Sequence, residues 1–249
     1  MSHKYLFLIA FTLFIAACSS PKNADDNTAE KYFQKGEEAY ESGLYEDAIG
    51  HWEKVRDTYY SPALNMLAEL KIAESYYQAE RYEEAATAYE DFLKQHPNDN
   101  RLDDVLYRLG LSHYQQILSA DRDQTSTRNA MRSFEELLRR YPEYPQAEEA
   151  EMLIQRCRNR LAEHEVYVGN FYLKRKSYQA AIKRFESTLQ EYPNYYYQDE
   201  ILFYLGKAYL KANQKEKSEQ IFNQLAEQFP GSEYQLKAME LLAEENQDS

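Results

Sequence analysis

The sequence predicts an all-α protein, an α-solenoid of about five helix-turn-helix repeats. The first observation behind this is a recurring spacing. After Gly169, the residues Tyr172, Tyr178, Ala181, Phe185 and Pro193 follow at offsets of 3, 9, 12, 16 and 24. The same offsets from Gly206 give Tyr209, Lys215, Ser218, Phe222 and Pro230, and from Ala73 they give Tyr76, Tyr82, Ala85, Tyr89 and Pro97. Gly36 opens a copy with Ala39, Tyr45, Ala48 and Trp52, in which Tyr60 stands where the proline would be. Gly110 opens a fifth, whose second half (Ala130, Phe134, Pro142) arrives eight residues late. The second observation is composition: 249 residues with 7 glycines and no long apolar run after residue 17 suit one elongated helical domain.

The spacing has a physical reading, that of the tetratricopeptide repeat. Gly or Ala at the first position lets two antiparallel helices approach, and Ala48, Ala85, Ala130 and Ala181 receive them. An aromatic four residues later (Trp52, Tyr89, Phe134, Phe185) lies on the same helical face and fills the space between repeats. The proline, with no N–H to donate, ends the second helix.

In chain order, residues 1–17 read as an export signal. His3 and Lys4 precede an apolar stretch from Tyr5 to Ala17, short for a spanning helix. Ile15-Ala16-Ala17-Cys18 resembles the bacterial lipobox, in which the chain is cut before a cysteine that receives diacylglycerol and then an N-acyl chain such as palmitate. Cys18 is therefore the expected lipidation site, and no other cofactor is expected. Three acyl chains hold a protein on a bilayer without spanning it. Ser19 stands where Asp would favour retention in the inner membrane, so the bacterial sorting pattern points to the periplasmic face of the outer membrane. Residues 18–28 are the lipidated cysteine and a polar tether with nothing to bury.

Repeats one to three occupy 29–142. A long helix, repeats four and five and a capping helix occupy 143–243, and 244–249 form a polar tail. Most first-position residues lie 37 apart, but Gly110 and Gly169 are 59 apart. Eight of the extra residues enlarge the turn in QILSADRDQTSTRNA, rich in cap-forming Ser and Asp. Fourteen lengthen a helix expected from Gln146 to Arg175, close to four turns or about 20 Å, so its packing face is kept. That helix carries Arg156, Arg158 and Arg160, a place for a specific partner or a tolerated insertion. Cys157 has no pairing partner once Cys18 is lipidated and reads as a small buried residue.

The first helix of each repeat lines the concave side of such arrays. One groove-facing position holds Phe33, Leu70, Tyr107, Val166 and Phe203, and another holds Tyr40, Tyr77, Tyr114, Leu173 and Leu210. Two readings fit the ladder of Tyr40, Tyr77 and Tyr114: a surface gripping extended aromatic peptides, or rings closing the gap between adjacent helices. Arrays that clamp a C-terminal carboxylate place Lys and Asn in these slots. Here Asn170 and Lys207 do so in different repeats, which argues against such a clamp.

A net charge of −13 argues against nucleic acid as a partner. The charge is uneven: residues 25–104 hold 8 basic and 20 acidic groups, whereas 122–184 hold 13 and 9. That basic middle is either a solvated face or a docking site for an acidic surface. Histidines 3, 51, 96, 113 and 164 have no metal-ligand spacing, and no P-loop, Rossmann or G-x-S-x-G pattern occurs. The carboxylates fall at solvated helical positions with no burial signal. The chain reads as a non-enzyme.

Two segments go beyond generic repeats: DDVLYRLGLSHYQQILSADRDQTSTRNAMRSFEELLRRYP (103–142) and LAEHEVYVGNFYLKRKSYQAAIKRFESTLQEYP (161–193). With the lipobox and the enlarged third turn, the chain resembles the BamD family, also called ComL or YfiO, along nearly its whole mature length. It departs at Glu143-Tyr144 and Asn194-Tyr195, where the family often has Pro-x-Ser. The resemblance implies a non-enzymatic scaffold of the β-barrel assembly machinery. Its C-terminal repeats would dock on the last periplasmic domain of BamA, beside other lipoproteins of the complex, and its N-terminal repeats would meet unfolded outer-membrane proteins. Arg184 falls where the family has an arginine facing BamA, and with Arg156 and Arg160 makes up the expected partner-binding set. The alternatives are a tetratricopeptide lipoprotein of cell-wall, division or pilus and secretin assembly, or an enzyme.

Overall fold

The computed structural model describes residues 28–58 and 61–247. The export signal, Cys18, most of the tether and Tyr60 lie outside the described residues. Eleven helices follow one another among them: α1 (Ala29–Glu41), α2 (Tyr45–Thr58), α3 (Pro62–Gln78), α4 (Tyr82–Gln95), α5 (Leu102–Gln115), α6 (Thr125–Arg140), α7 (Ala147–Lys174), α8 (Tyr178–Glu191), α9 (Gln198–Lys211), α10 (Lys215–Gln228) and α11 (Glu233–Gln247). Each helix packs on the next, α1 also touches α3, α7 touches α9, and α11 closes the end against α9 and α10. The chain is therefore the expected solenoid of helix pairs, with the odd-numbered helices α1 to α9 as first helices.

One contact sets the spacing within a pair. A Cβ built on Gly36 would stand 2.4 Å from the Trp52 ring, and on Gly110, Gly169 and Gly206 it would stand 2.5, 2.4 and 2.4 Å from Phe134, Phe185 and Phe222. These rings are almost wholly buried. Each aromatic thus packs directly against the bare backbone of its own repeat's first helix. From there it joins the apolar cluster of the next repeat, as Trp52 does with Ala68 and Ile72. Repeat two substitutes Ala73 and Tyr89, both buried.

The turns inside the repeats share a feature that composition hides. Gly43, Glu80, Lys176 and Asn213 all stand seven residues after the first position and all have positive φ, 74°, 59°, 61° and 58°. Each closes its helix with paired backbone bonds: Glu80 N–H donates to Tyr77 O at 3.0 Å and Arg81 N–H to Tyr76 O at 2.9 Å. This left-handed cap satisfies the last carbonyls of the first helix. At the other end, α4, α6, α8 and α10 each stop two residues before Pro97, Pro142, Pro193 and Pro230.

The late half of repeat three is a built loop. Gln124 is 1 % exposed; its amide donates to the carbonyls of Ser119 and Arg122 at 2.9 and 3.0 Å, and its oxygen accepts from Thr127. Asp123 accepts from the Thr125 N–H at 2.9 Å at the start of α6. His164, on α7, pins the loop through Ala120 O at 2.6 Å. The long helix α7 spans 28 residues. Cys157 is buried at its middle, beside Phe134 and Leu153, and burial pushes its thiol up to about 12. The tyrosines that follow two prolines also have a structural role: Tyr144 and Tyr195 are buried, and Tyr144 donates to Asp104 at 2.9 Å.

Candidate functional site

The groove residues divide by the helices that hold them. Tyr40 meets Tyr45 edge-on, centroids 5.4 Å apart at 64°, and Tyr77 meets Tyr82 at 5.3 Å and 67°. The two repeats therefore use the same ring pair, with the groove tyrosine braced by the first residue of the second helix. Both groove rings stay half-buried. The Tyr40 hydroxyl bonds Glu74, and burial with that carboxylate pushes it up to about 12. Phe33 packs on Trp52, whose Nε1 donates to the Phe33 carbonyl at 3.1 Å. Tyr107 lies between Phe134 and Tyr144.

Tyr114 differs. Its brace would fall eight residues late, where the chain has Thr127 rather than a tyrosine. Tyr114 instead lines a cleft of about 410 Å³ with Gln115, Ile117, Arg156, Asn159, Arg160, Glu163 and Tyr196, where α5, α7 and the turn before α9 meet. The structure thus brings together three residues that the sequence placed in separate sets: Tyr114 of the ladder, and Arg156 and Arg160 of the long helix. Within the cleft Glu163 accepts from Arg160 at 2.6 Å and from the Tyr196 hydroxyl at 2.9 Å. Arg156 is exposed and has no ion pair among the described residues. Arg158 points elsewhere, to Glu135 at 3.0 Å. Glu163 reads in the sequence only as an i,i+3 partner of Arg160 on the helix surface, and Tyr196 carried no signal because its partner Glu163 is on a different element.

Leu70 lines a second, smaller hollow between α3 and α5, with Lys71, Glu74, Tyr89 and Arg108. A larger one, about 730 Å³, lies over α2, α3 and α4 and is acidic, but Glu69, Glu84 and Asp91 in its walls are engaged by His96, Arg81 and Lys94. Arg184, on α8, bonds Glu165 of α7 at 2.5 Å, so its guanidinium already has a carboxylate inside the chain.

The expectation that the carboxylates carry no burial that would perturb a pKa needs correction at one position, Glu200. Asp99 has an 8 % exposed side chain held by Arg101, and Glu200, at the start of α9, is half-buried. Burial raises the pKa of Glu200 above 4.5, against the opposing hydrogen bond of Tyr234. A carboxyl raised in the folded state binds its proton more tightly there than when unfolded. Its contribution is then most favourable below the unfolded value and is lost as pH rises through the folded one. Glu200→Gln is therefore expected to raise Tm at neutral pH, with the gain shrinking as pH falls through the raised folded-state value toward 4.5 and gone below it. Thermal melts across that range check it, and a constant gain at all pH values would assign the effect to packing.

Among the described residues no group of His, Cys, Asp and Glu could hold a metal ion, and no helix is long and apolar enough to cross a membrane. Comparison with known proteins places this arrangement. The model of the YfiO family, described as "Outer membrane lipoprotein", matches residues 25–221, from the tether into α10. The chain belongs to the YfiO family. Relatives in the family include the outer membrane protein assembly factor BamD of Vibrio cholerae, 30 % identical over 197 residues, covering 75 % of this chain and 82 % of the relative. The assembly factor of the same name from Rickettsia prowazekii is 29 % identical over 200 residues, covering 80 % of each. That of Pasteurella multocida is 28 % identical over 202 residues, covering 77 % and 78 %. The YfiO match thus takes in α5, the enlarged third turn, the long α7 and the turn before α9, and with them every residue that lines the Tyr114 cleft.

Proposed function

We propose that this protein is a non-enzymatic scaffold of the outer-membrane β-barrel assembly complex. It is held at the periplasmic face of the outer membrane by a lipid on Cys18, docked on the periplasmic part of BamA and neighbouring lipoproteins. Its concave groove takes aromatic segments of unfolded barrel proteins. The observation that supports this reading is the recurrence of the same tyrosine pair, Tyr40 with Tyr45 and Tyr77 with Tyr82, in successive repeats of a chain whose family relatives are named as assembly factors. Flat rings with a polar edge grip extended peptides at little entropic cost. Affinity purification of a C-terminally tagged copy from detergent-solubilised outer membrane tests it. A stoichiometric partner with repeated periplasmic domains and a β-barrel is expected; recovery of wall synthases or a secretin instead would overturn it.

The groove has its own test. Tyr40→Ala with Tyr77→Ala is expected to reduce crosslinking to aromatic-rich C-terminal peptides of barrel proteins several-fold. Tyr45→Ala with Tyr82→Ala removes the braces of the same two ring pairs. If that control lowers crosslinking as much, the tyrosines act through packing alone.

A further inference from the structure

The cleft between α5, α7 and the turn before α9 holds more hydrogen-bond donors than acceptors. Its one lining carboxylate, Glu163, is used on both oxygens, accepting from Arg160 at 2.6 Å and from the Tyr196 hydroxyl at 2.9 Å. Arg156, one helical turn before Arg160, is exposed and has no ion pair among the described residues. With Arg156 and Arg160 set against Glu163, the lining keeps one positive charge, on a chain whose net charge is −13. A guanidinium offers five N–H donors in a planar fork and no acceptor, a shape that matches a carboxylate.

A second observation points the same way. Asn159 sits near the middle of α7, 8 % exposed, and lines the same cleft three positions after Arg156. Asparagine is a poor residue for a helix interior, because its amide competes for backbone bonds. Its oxygen accepts from Gln155 at 3.2 Å, while its nitrogen has no acceptor among the described residues. A buried amide left half-paired is costly, and an acceptor arriving in the cleft would complete it. The rest of the wall is largely apolar: Ile117 and the rings of Tyr114 and Tyr196, the last set edge-on to Tyr197 at 4.4 Å and 78°. The cleft also adjoins the tyrosine ladder, since the Gln115 amide donates to the Tyr77 hydroxyl at 3.4 Å.

We propose that this cleft is a subsite for an acidic side chain within an extended peptide. The Arg156 guanidinium and the Asn159 amide hold its carboxylate, and a neighbouring apolar side chain rests on Tyr114, Ile117 and Tyr196. Continuity with the ladder favours an internal residue, because a segment lying on Tyr77 passes Gln115 into the cleft. The proposal rests on the groove holding peptides, and adds a requirement for negative charge to its aromatic preference.

The test uses the full chain purified in detergent and fluorescence anisotropy with three labelled versions of one aromatic-rich peptide. The first is amidated with a central glutamate, the second is amidated with glutamine there, and the third is the glutamine peptide with a free C-terminus. The glutamate peptide is expected to bind about tenfold more tightly than the amidated glutamine one at low salt, the effect of one charge-assisted pair. That advantage is expected to narrow at high salt, because Arg156 is exposed. Arg156→Gln is expected to abolish it, and Arg156→Glu to make the glutamate peptide the weaker of the two. Both variants are expected to melt close to the wild type, since the side chain is exposed and unpaired, which separates lost binding from lost folding. Equal binding of the glutamate and glutamine peptides, an advantage that survives Arg156→Gln, or a gain from the free C-terminus alone would overturn the subsite while leaving the groove in place. Binding by none of the three would remove both.

Discussion

Phe185→Ala is expected to cost about 4 kcal/mol of stability, and Gly169→Ala about 2 kcal/mol, yet the double variant is expected to lose less than their sum. Phe185 is fully buried, stacked near Tyr204 at 6.1 Å and surrounded by Ala181, Ile182, Tyr195, Ile201 and Leu205. Removing the ring opens a cavity that this rigid wall cannot close. Adding a methyl at Gly169 instead drives a Cβ to 2.4 Å from a ring with nowhere to go. Once the ring is gone, the same methyl enters empty space and restores part of the lost contact, which is why the two effects couple. Urea unfolding followed by far-UV circular dichroism measures all three. Strict additivity would mean that ring and glycine do not share one contact. Because each repeat of a solenoid touches only its neighbours, hydrogen exchange in Phe185→Ala should quicken from the second half of α7 to α9 and stay unchanged in α1 to α4.

That contact also explains how much was legible beforehand. The register of the repeats could be read because a glycine and a ring sixteen residues apart must meet, in repeat three after eight extra residues; the sequence carries both halves of the constraint. The long helix was readable for the same reason, as its added length kept the packing face. The left-handed caps at Glu80 and Lys176 were not, because neither residue prefers positive φ and only comparison with Gly43 and Asn213 exposes the shared position. The interior of the third turn was hidden too. Gln124 and His164 look like surface polar residues until the backbone carbonyls they serve are placed next to them. The candidate site lay between these cases. Its rings were predicted as a uniform ladder, but the enlarged turn takes away the brace of Tyr114 and turns it toward Arg156 and Arg160, a grouping that only the fold produces.

Charge placement at Arg184 gives the second large effect. If its guanidinium meets a carboxylate of BamA, Arg184→Glu is expected to weaken docking by about 2–5 kcal/mol, a loss of thirtyfold or more. The same substitution sets a second carboxylate against Glu165, where the wild-type pair is 2.5 Å apart with side chains 39 % and 24 % exposed. A pair that open to water contributes about 0–1 kcal/mol, so folding changes little by comparison. The two effects are separated by exchanging the charges. Arg184→Glu combined with Glu165→Arg rebuilds the internal pair with the cation moved onto α7. Stability is expected to return while docking does not, since a guanidinium bonding a carboxylate through a fixed fork has to arrive from the right helix. Binding of the BamA periplasmic domains to the full chain, measured at low and high salt, reads this directly. If the exchanged pair docks like the wild type, the bridge between α7 and α8 is what matters and Arg184 does not touch the partner. If it stays weak and the deficit narrows with salt, the cation at Arg184 is itself the contact, already ordered by Glu165 before the partner arrives.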